Sequence, residues 1–307
     1  MNNKIKGSLY ALIACVFWAS AYVAPKYLID TWSVQPLVIG ALRFTLGGLI
    51  LFAFAFARKD YKIIETAKNN FGYGLLLGAL GMAGMFGFLC FSLKYTSTTN
   101  SAILMNTSGF LSVLLALFIA EKFTKNKALG VLLGLLGVYL VVNKGLAFNL
   151  FNSQTLKGDL LALVSALCWS GYTVASKKIL EGKSINSLHL TALNCLLGGL
   201  MLFALSLLIG GFSFPLEFWP VFWILFLTVF ATCVAYVLWY YALEKIDAGS
   251  ASIFQFITPV LSAGLAFSFL GDRITIYVII GMVFVFAGIL FSSIEGRRRK
   301  TQIRSGE

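Results

Sequence analysis

The sequence predicts an all-α integral membrane protein of ten transmembrane helices, built as two five-helix repeats of inverted topology. Three observations carry that prediction. The first is solvent: 59% of the residues are hydrophobic and only 12% charged, with a mean hydropathy of +0.87, whereas soluble domains carry roughly 25% charged residues. The second is length: the apolar runs are each about 20 residues, enough to cross a hydrocarbon core of about 30 Å as helices, and they lack the alternation of barrel strands. The third is duplication. Residues 6 to 53 lie without a gap on residues 157 to 204 at a constant offset of 151, with 20 identities in 48 positions, among them Lys6/Lys157, Trp18/Trp169 and Gly47-Gly48/Gly198-Gly199.

The predicted spans fall near 7-28, 34-57, 72-93, 98-120, 127-146, 158-180, 186-210, 219-242, 249-270 and 275-294. They divide into a first repeat at 1-148, a second at 149-295 and a basic tail at 296-307. Five spans per repeat is an odd number. The second copy therefore enters the membrane from the opposite face, related to the first by a two-fold axis in the membrane plane. If the N-terminus is cytoplasmic, 18 of the 24 Lys and Arg residues collect on the inner side. The positive-inside rule thus places both termini in the cytoplasm of a multi-pass protein of the inner or plasma membrane. Topology and lipid headgroups account for the net charge of +12, so no nucleic-acid partner is expected.

In span 1 an apolar run that follows Lys4 and Lys6 ends in Ala19-Ser20-Ala21, the outline of a cleavable signal. Its repeat mate at 158-180 lies mid-chain, so span 1 is expected to be retained. Pro25 and Pro36 are expected to bracket the outer turn into span 2. Span 2 holds Arg43, the only full charge near the middle of any span, with neutral Asn194 as its mate. A buried cation costs about 2.5 to 3.5 kcal/mol on insertion scales, so it should face the interior or a wet cavity. Capping carbonyls, snorkelling and attracting an anionic solute group all remain open for it, and no carboxylate lies at its depth.

Span 3 carries Gly74, Gly78, Gly81, Gly84 and Gly87, a stripe that lets another backbone approach closely; Gly81 is also a candidate hinge. Span 4 is polar at its start, with Asn100, Ser101, Asn106, Thr107 and Ser108. In span 9 the equivalent stretch has Ser250, Ser252, Gln255 and Thr258 before Pro259, which cannot donate to the Gln255 carbonyl and should kink the helix. Polar groups beside a midplane helix break suit a solute site, and they suit an interhelical hydrogen-bond cluster too. Trp18 and Trp169 stand mid-span, away from the interfacial belt, where they could wall a cavity with Tyr172, Tyr236 and Tyr240 or simply fill the core.

Other chemistry is scarce. The five cysteines lie in apolar spans without metal-ligand spacing, and no phosphate loop or dinucleotide fingerprint is present. No cofactor, metal site or catalytic group is expected. The single His189, at the inner end of span 7, suits a local hydrogen bond or a proton-coupling role.

Trp18-Ala19-Ser20 and Trp169-Ser170-Gly171, Leu42 to Phe44, Thr258-Pro259, and an acidic residue nine positions before a Gly-rich last span in each half together resemble the EamA-type family of the drug/metabolite transporter superfamily. The resemblance implies a ten-helix, inverted-repeat carrier whose central cavity is lined by helices 1, 3, 4, 6, 8 and 9, commonly exporting amino acids or other small metabolites. Two departures are visible: Ser108-Gly109 stands where the family has a proline in helix 4, and the helix 2 arginine is not kept at Asn194. The expected function is alternating-access transport of a small solute across the lipid bilayer, with a monomer plausible. An importer or exchanger of the same fold, or a passive channel, is the alternative.

Overall fold

The computed structural model describes residues 3–108, 111, 115, 129, 132–137, 139–140, 155–182, 185–245, 257–272 and 274–288. Every regular element among them is helical. The first repeat gives α1 (Asn3–Trp32), α2 (Pro36–Ala57), the short α3 (Lys62–Asn69), α4 (Phe71–Leu77), α5 (Met85–Tyr95) and α6 (Thr98–Asn106). The second gives α7 (Leu156–Gly182), α8 (Ser187–Ile209), α9 (Phe218–Phe226), α10 (Ala235–Lys245), α11 (Ile257–Leu270) and α12 (Ile276–Gly288). α4 and α5 form one rod through a π-helical segment, Gly78–Gly84, and α9 and α10 join likewise through Leu227–Val234.

Six stretches are long and apolar enough to cross a bilayer, namely Ile5–Trp32, Pro36–Ala57, Phe71–Tyr95, Leu156–Ser176, Leu188–Ile209 and Phe218–Trp239; α11 and α12 are shorter apolar helices. About half of spans 4 and 5 lies outside the described residues. A bilayer core offers the backbone no hydrogen bonds, so an apolar run of this length closes its own ladder as a helix. Large apolar side chains such as Leu208, Phe267 and Leu132 are left on the exterior, 82%, 65% and 60% exposed. That surface suits lipid.

Pro25 does not flank the outer turn as the sequence reading expects. It sits inside α1, which runs on to Trp32. Proline lacks the N–H that would bond the Ala21 carbonyl four residues back, and the remaining ladder carries the helix past it. Pro36 does open α2, where a missing donor costs nothing. α2 closes with Lys59 in the left-handed region (φ 59°) while the Asp60 N–H donates to the Ala55 carbonyl at 2.9 Å. This turn aims Asp60 at His189, whose Nε2 lies 2.8 Å from Asp60 Oδ2 and whose Nδ1 lies 3.2 Å from Thr66 Oγ1. His189 is buried and stitches the α2–α3 turn to α8, a local hydrogen-bonding role.

The helices pair across the two halves. α1 packs on α10 and α11, and α7, the repeat mate of α1, packs on α5 and α6. α2 and α8, themselves repeat mates, cross antiparallel. A Cβ built on Gly48 would stand 2.6 Å from the Leu196 nitrogen, and one on Gly199 only 2.3 Å from the Thr45 nitrogen. Thr45 and Leu196 are mates at the offset of 151, as are Gly48 and Gly199. Each half thus presents the same two positions to the other. In lipid such association rests on close packing, which is why glycine occupies the crossing.

The glycine stripe of span 3 divides between two partners. Gly74 and Gly78 meet Leu193 and the Gly198 backbone of α8, whereas Gly81 and Gly84 meet Tyr172 and Cys168 of α7. At one end of the bundle Asp159 is fully buried at the start of α7, accepting hydrogen bonds from Thr96 Oγ1 (2.7 Å) and Thr155 Oγ1 (3.1 Å). Lys26 reaches the same connection, donating to the Leu93 carbonyl at 2.7 Å and pairing with Asp30 at 3.1 Å.

Candidate functional site

The two mid-span tryptophans meet at one cavity of about 100 Å³. A water needs roughly 10–15 Å³ of such space, so the cavity holds several. Its wall includes Trp18 of α1 and Trp169 of α7, and thus one tryptophan from each repeat. Trp18 meets the Tyr236 ring at 5.6 Å in an edge-to-face arrangement and the Trp239 ring at 5.2 Å. Trp169 stacks on Tyr172 at 5.1 Å and 25°. Tyr172 in turn fills the space opposite Gly81, where an added Cβ would lie 2.4 Å from its ring. Missing side-chain volume at Gly81 is what lets Tyr172 sit behind Trp169.

Arg43 brings charge to this wall. It is 4% exposed, lines the cavity, and holds its guanidinium 4.9 Å and 4.7 Å from the Phe44 and Phe86 ring centroids. Its Nε donates to Thr232 Oγ1 at 2.8 Å and one Nη to the Ala231 carbonyl at 3.1 Å. Both acceptors belong to the π-helical segment. A π turn shifts the backbone register from i+4 to i+5 and presents groups that an α-helix would keep. Thr232 Oγ1 follows the same register in donating to the Leu227 carbonyl at 3.1 Å. Capping and cavity lining, which the sequence leaves as alternatives, therefore coexist in Arg43. No carboxylate touches it among the described residues.

Asn106 and Thr258 also line the cavity. Asn106 Nδ2 donates to the Ala102 carbonyl at 2.8 Å, which leaves its oxygen available. Thr258 stands beside the Cys15 thiol, in the same turn as Pro259. Asn100 does not join them. It is buried at the start of α6 with its Nδ2 3.4 Å from Asp159 Oδ1, because the first polar turn of α6 faces the buried carboxylate. Gln255 and the Tyr240 side chain lie outside the described residues, and so does the bend expected before Pro259.

Ser108, from the polar start of span 4, lines the cavity as well, and six further wall residues escaped the sequence reading: Ala21, Tyr22, Met85, Phe86, Leu89 and Met105. Three carried a usable signal. Met85 is the repeat mate of Tyr236. Tyr22 lies one helical turn beyond Trp18, so it shares that face. Ala21 is the residue whose carbonyl Pro25 leaves without its usual donor.

A helical membrane protein whose two repeats share an aromatic, partly polar cavity has the make-up of a solute transporter. The chain belongs to the EamA-like transporter family: that family's model matches it twice, over residues 5–143 and 156–294, with both bounds separated by the repeat offset of 151. It is a transporter and not an enzyme. It is 31% identical over 298 residues to an uncharacterized transporter of Archaeoglobus fulgidus, covering 95% of this chain and 98% of that one. At 24% identity it matches a probable amino-acid metabolite efflux pump of Salmonella typhimurium, over 98% of this chain and 99% of the other. A solved crystal structure shares its fold, with a TM-score of 0.66 at 22% identity over 95% of this chain and 98% of that one.

Proposed function

We propose that this protein is a secondary carrier that exports small organic metabolites, amino acids or their relatives, by alternating access. Its two halves, residues 1-148 and 149-295, are inverted repeats of five spans each, both ends of the chain are cytoplasmic, and it works in the inner or plasma membrane. The observation that carries this reading is the cavity wall itself, where Trp18 and Trp169, mates in the repeat, meet with polar groups from both halves. A site shared by two copies can open to either face as they rock against each other, which is the geometry alternating access needs. The antiparallel crossing of α2 and α8 supports inversion, since mates that run antiparallel belong to copies of opposite orientation. The efflux pump of Salmonella typhimurium supports the direction and solute class.

Trp18, Trp169, Tyr236, Asn106, Thr258 and Arg43 contact the solute in this reading, with Tyr172 bracing Trp169. Gly81 and Pro259 serve as hinge positions. The test is flux in proteoliposomes against a panel of amino acids and related acids. A carrier gives saturable uptake that speeds up when unlabelled solute is loaded inside. Flux that rises linearly with concentration and shows single-channel current would instead make the protein a channel.

A further inference from the structure

The charge balance of the cavity selects among solutes, and here we infer, resting on the carrier reading above and narrowing its solutes from amino acids to relatives that lack the ammonium, that the transported species is a monocarboxylate with an apolar body and no free ammonium group. Arg43 is a full cation in the wall, 4% exposed. Guanidinium carries five N–H donors. Two are spent on Thr232 and Ala231, which leaves three without an acceptor among the described residues. A buried charge left without a counterion is costly, and a solute anion would supply what is missing.

Among the described residues no carboxylate stands in its place. Of its 12 Asp and Glu residues, every one falls at the end of a predicted span or in a connection, none at the depth of Arg43. Asp159, buried though it is, stands at the start of α7 and accepts from Thr96 and Thr155. A free amino acid would therefore bring a second cation into a cavity that already holds one and has no carboxylate among its described wall residues to receive it. Hydrogen bonds to Asn106 or Thr258 could orient an amide at that place without the cost of desolvating an ammonium.

The rest of the wall fixes the other end of the solute. Trp18, Phe86, Met85, Leu89 and Trp169 give an apolar and aromatic surface beside the single cation. One cation matches one negative charge, so a phosphate dianion is a poorer partner than a carboxylate.

Titration calorimetry of the full-length protein in detergent, with 3-phenylpropionate, N-acetylphenylalanine, phenylalanine and phenethylamine as probes, compares ligands of similar body and different charge. The two carboxylates without an ammonium should bind roughly tenfold or more tighter than phenylalanine, and phenethylamine weakest of all, as charges a few ångströms apart in a low-dielectric site require. Arg43→Gln should bring all four within about threefold of each other, and Arg43→Lys should keep the carboxylates ahead of the amine. Because Arg43 also ties α2 to the π-helical segment, the wild-type order decides the matter should Arg43→Gln not fold. Phenethylamine or phenylalanine binding first, or an unchanged order in Arg43→Gln, overturns the assignment and leaves the carrier reading intact. No binding and no exchange by any of the four removes both.

Discussion

Adding one methyl group at Gly199 is expected to cost about 3 kcal/mol and to lower the melting temperature of the purified protein by several degrees. The new Cβ would stand 2.3 Å from the Thr45 nitrogen and 2.5 Å from Thr45 Oγ1. The first of these is backbone, which cannot rotate away, so α2 and α8 must separate along their whole crossing. Overpacking of a filled interior costs about 1–3 kcal/mol, and a backbone clash sits at the upper end. Gly48→Ala should do the same through the Leu196 nitrogen, 2.6 Å away. The double variant should cost less than the sum, because once the helices have parted the second methyl finds room. Gly171→Ala is the control: its nearest neighbour would be Leu80 Cδ1 at 3.7 Å, ordinary contact. Thermal unfolding followed by size-exclusion chromatography reads all four, and an unaltered midpoint for Gly199→Ala would refute the close crossing.

Trp169→Ala is expected to weaken solute binding roughly thirtyfold, about 2 kcal/mol, while the protein still folds. Trp169 has one ring face stacked on Tyr172 and forms part of the cavity wall. Truncation removes the surface on which a solute would lie and leaves Tyr172 free to collapse inward. The measurement is concentration-dependent exchange in proteoliposomes. Half-saturation should move up with little loss of protein in the membrane. Trp169→Phe, which keeps a flat ring, should recover most of the affinity. Equal affinity in wild type and Trp169→Ala would take Trp169 out of the site and return it to the role of core aromatic.

How far the sequence could be read depended on what the membrane requires of it. Apolar runs of about 20 residues leave the chain little choice but helices, and the described spans fall within a few residues of the expected ones, apart from the run-on of α1 through Pro25 to Trp32. The short α3 escaped because eight residues with only Ile63 fully buried carry too little pattern against their charged neighbours. The two π-helical segments were invisible for a different reason: they change the hydrogen-bond register without changing the apolar face. Yet they occupy nearly equivalent places, Gly78–Gly84 and Leu227–Val234. One receives Arg43 and the other the close approach of Gly198. The repeat mates Gly47 and Gly198 approach the two joints alike, at Thr232 and at Gly78, and one joint alone receives a charge because the repeat mate of Arg43 is the neutral Asn194.

At the cavity, residue type and depth together pointed to wall residues where residue type alone did not. Trp18, Trp169, Tyr236 and Arg43 were picked for being large or charged in mid-span, and all four line one cavity. Asn100 was picked for polarity, and polarity at a helix start is as well served by Asp159 as by a solute. Met85 was within reach through the offset of 151 from Tyr236, but an apolar residue draws no attention in an apolar span.

Accessibility of the cavity from both faces of the membrane tests the account most directly. Ser108 lines the cavity, and all five native cysteines are free thiols, so they can be replaced and a single cysteine placed at position 108. Treating inside-out and right-side-out vesicles with a membrane-impermeant thiol reagent asks whether one wall residue is reached in turn from each side. Alternating access predicts modification from both sides, slowed by a bound solute in each case. Modification from one side alone, or from neither, would contradict it.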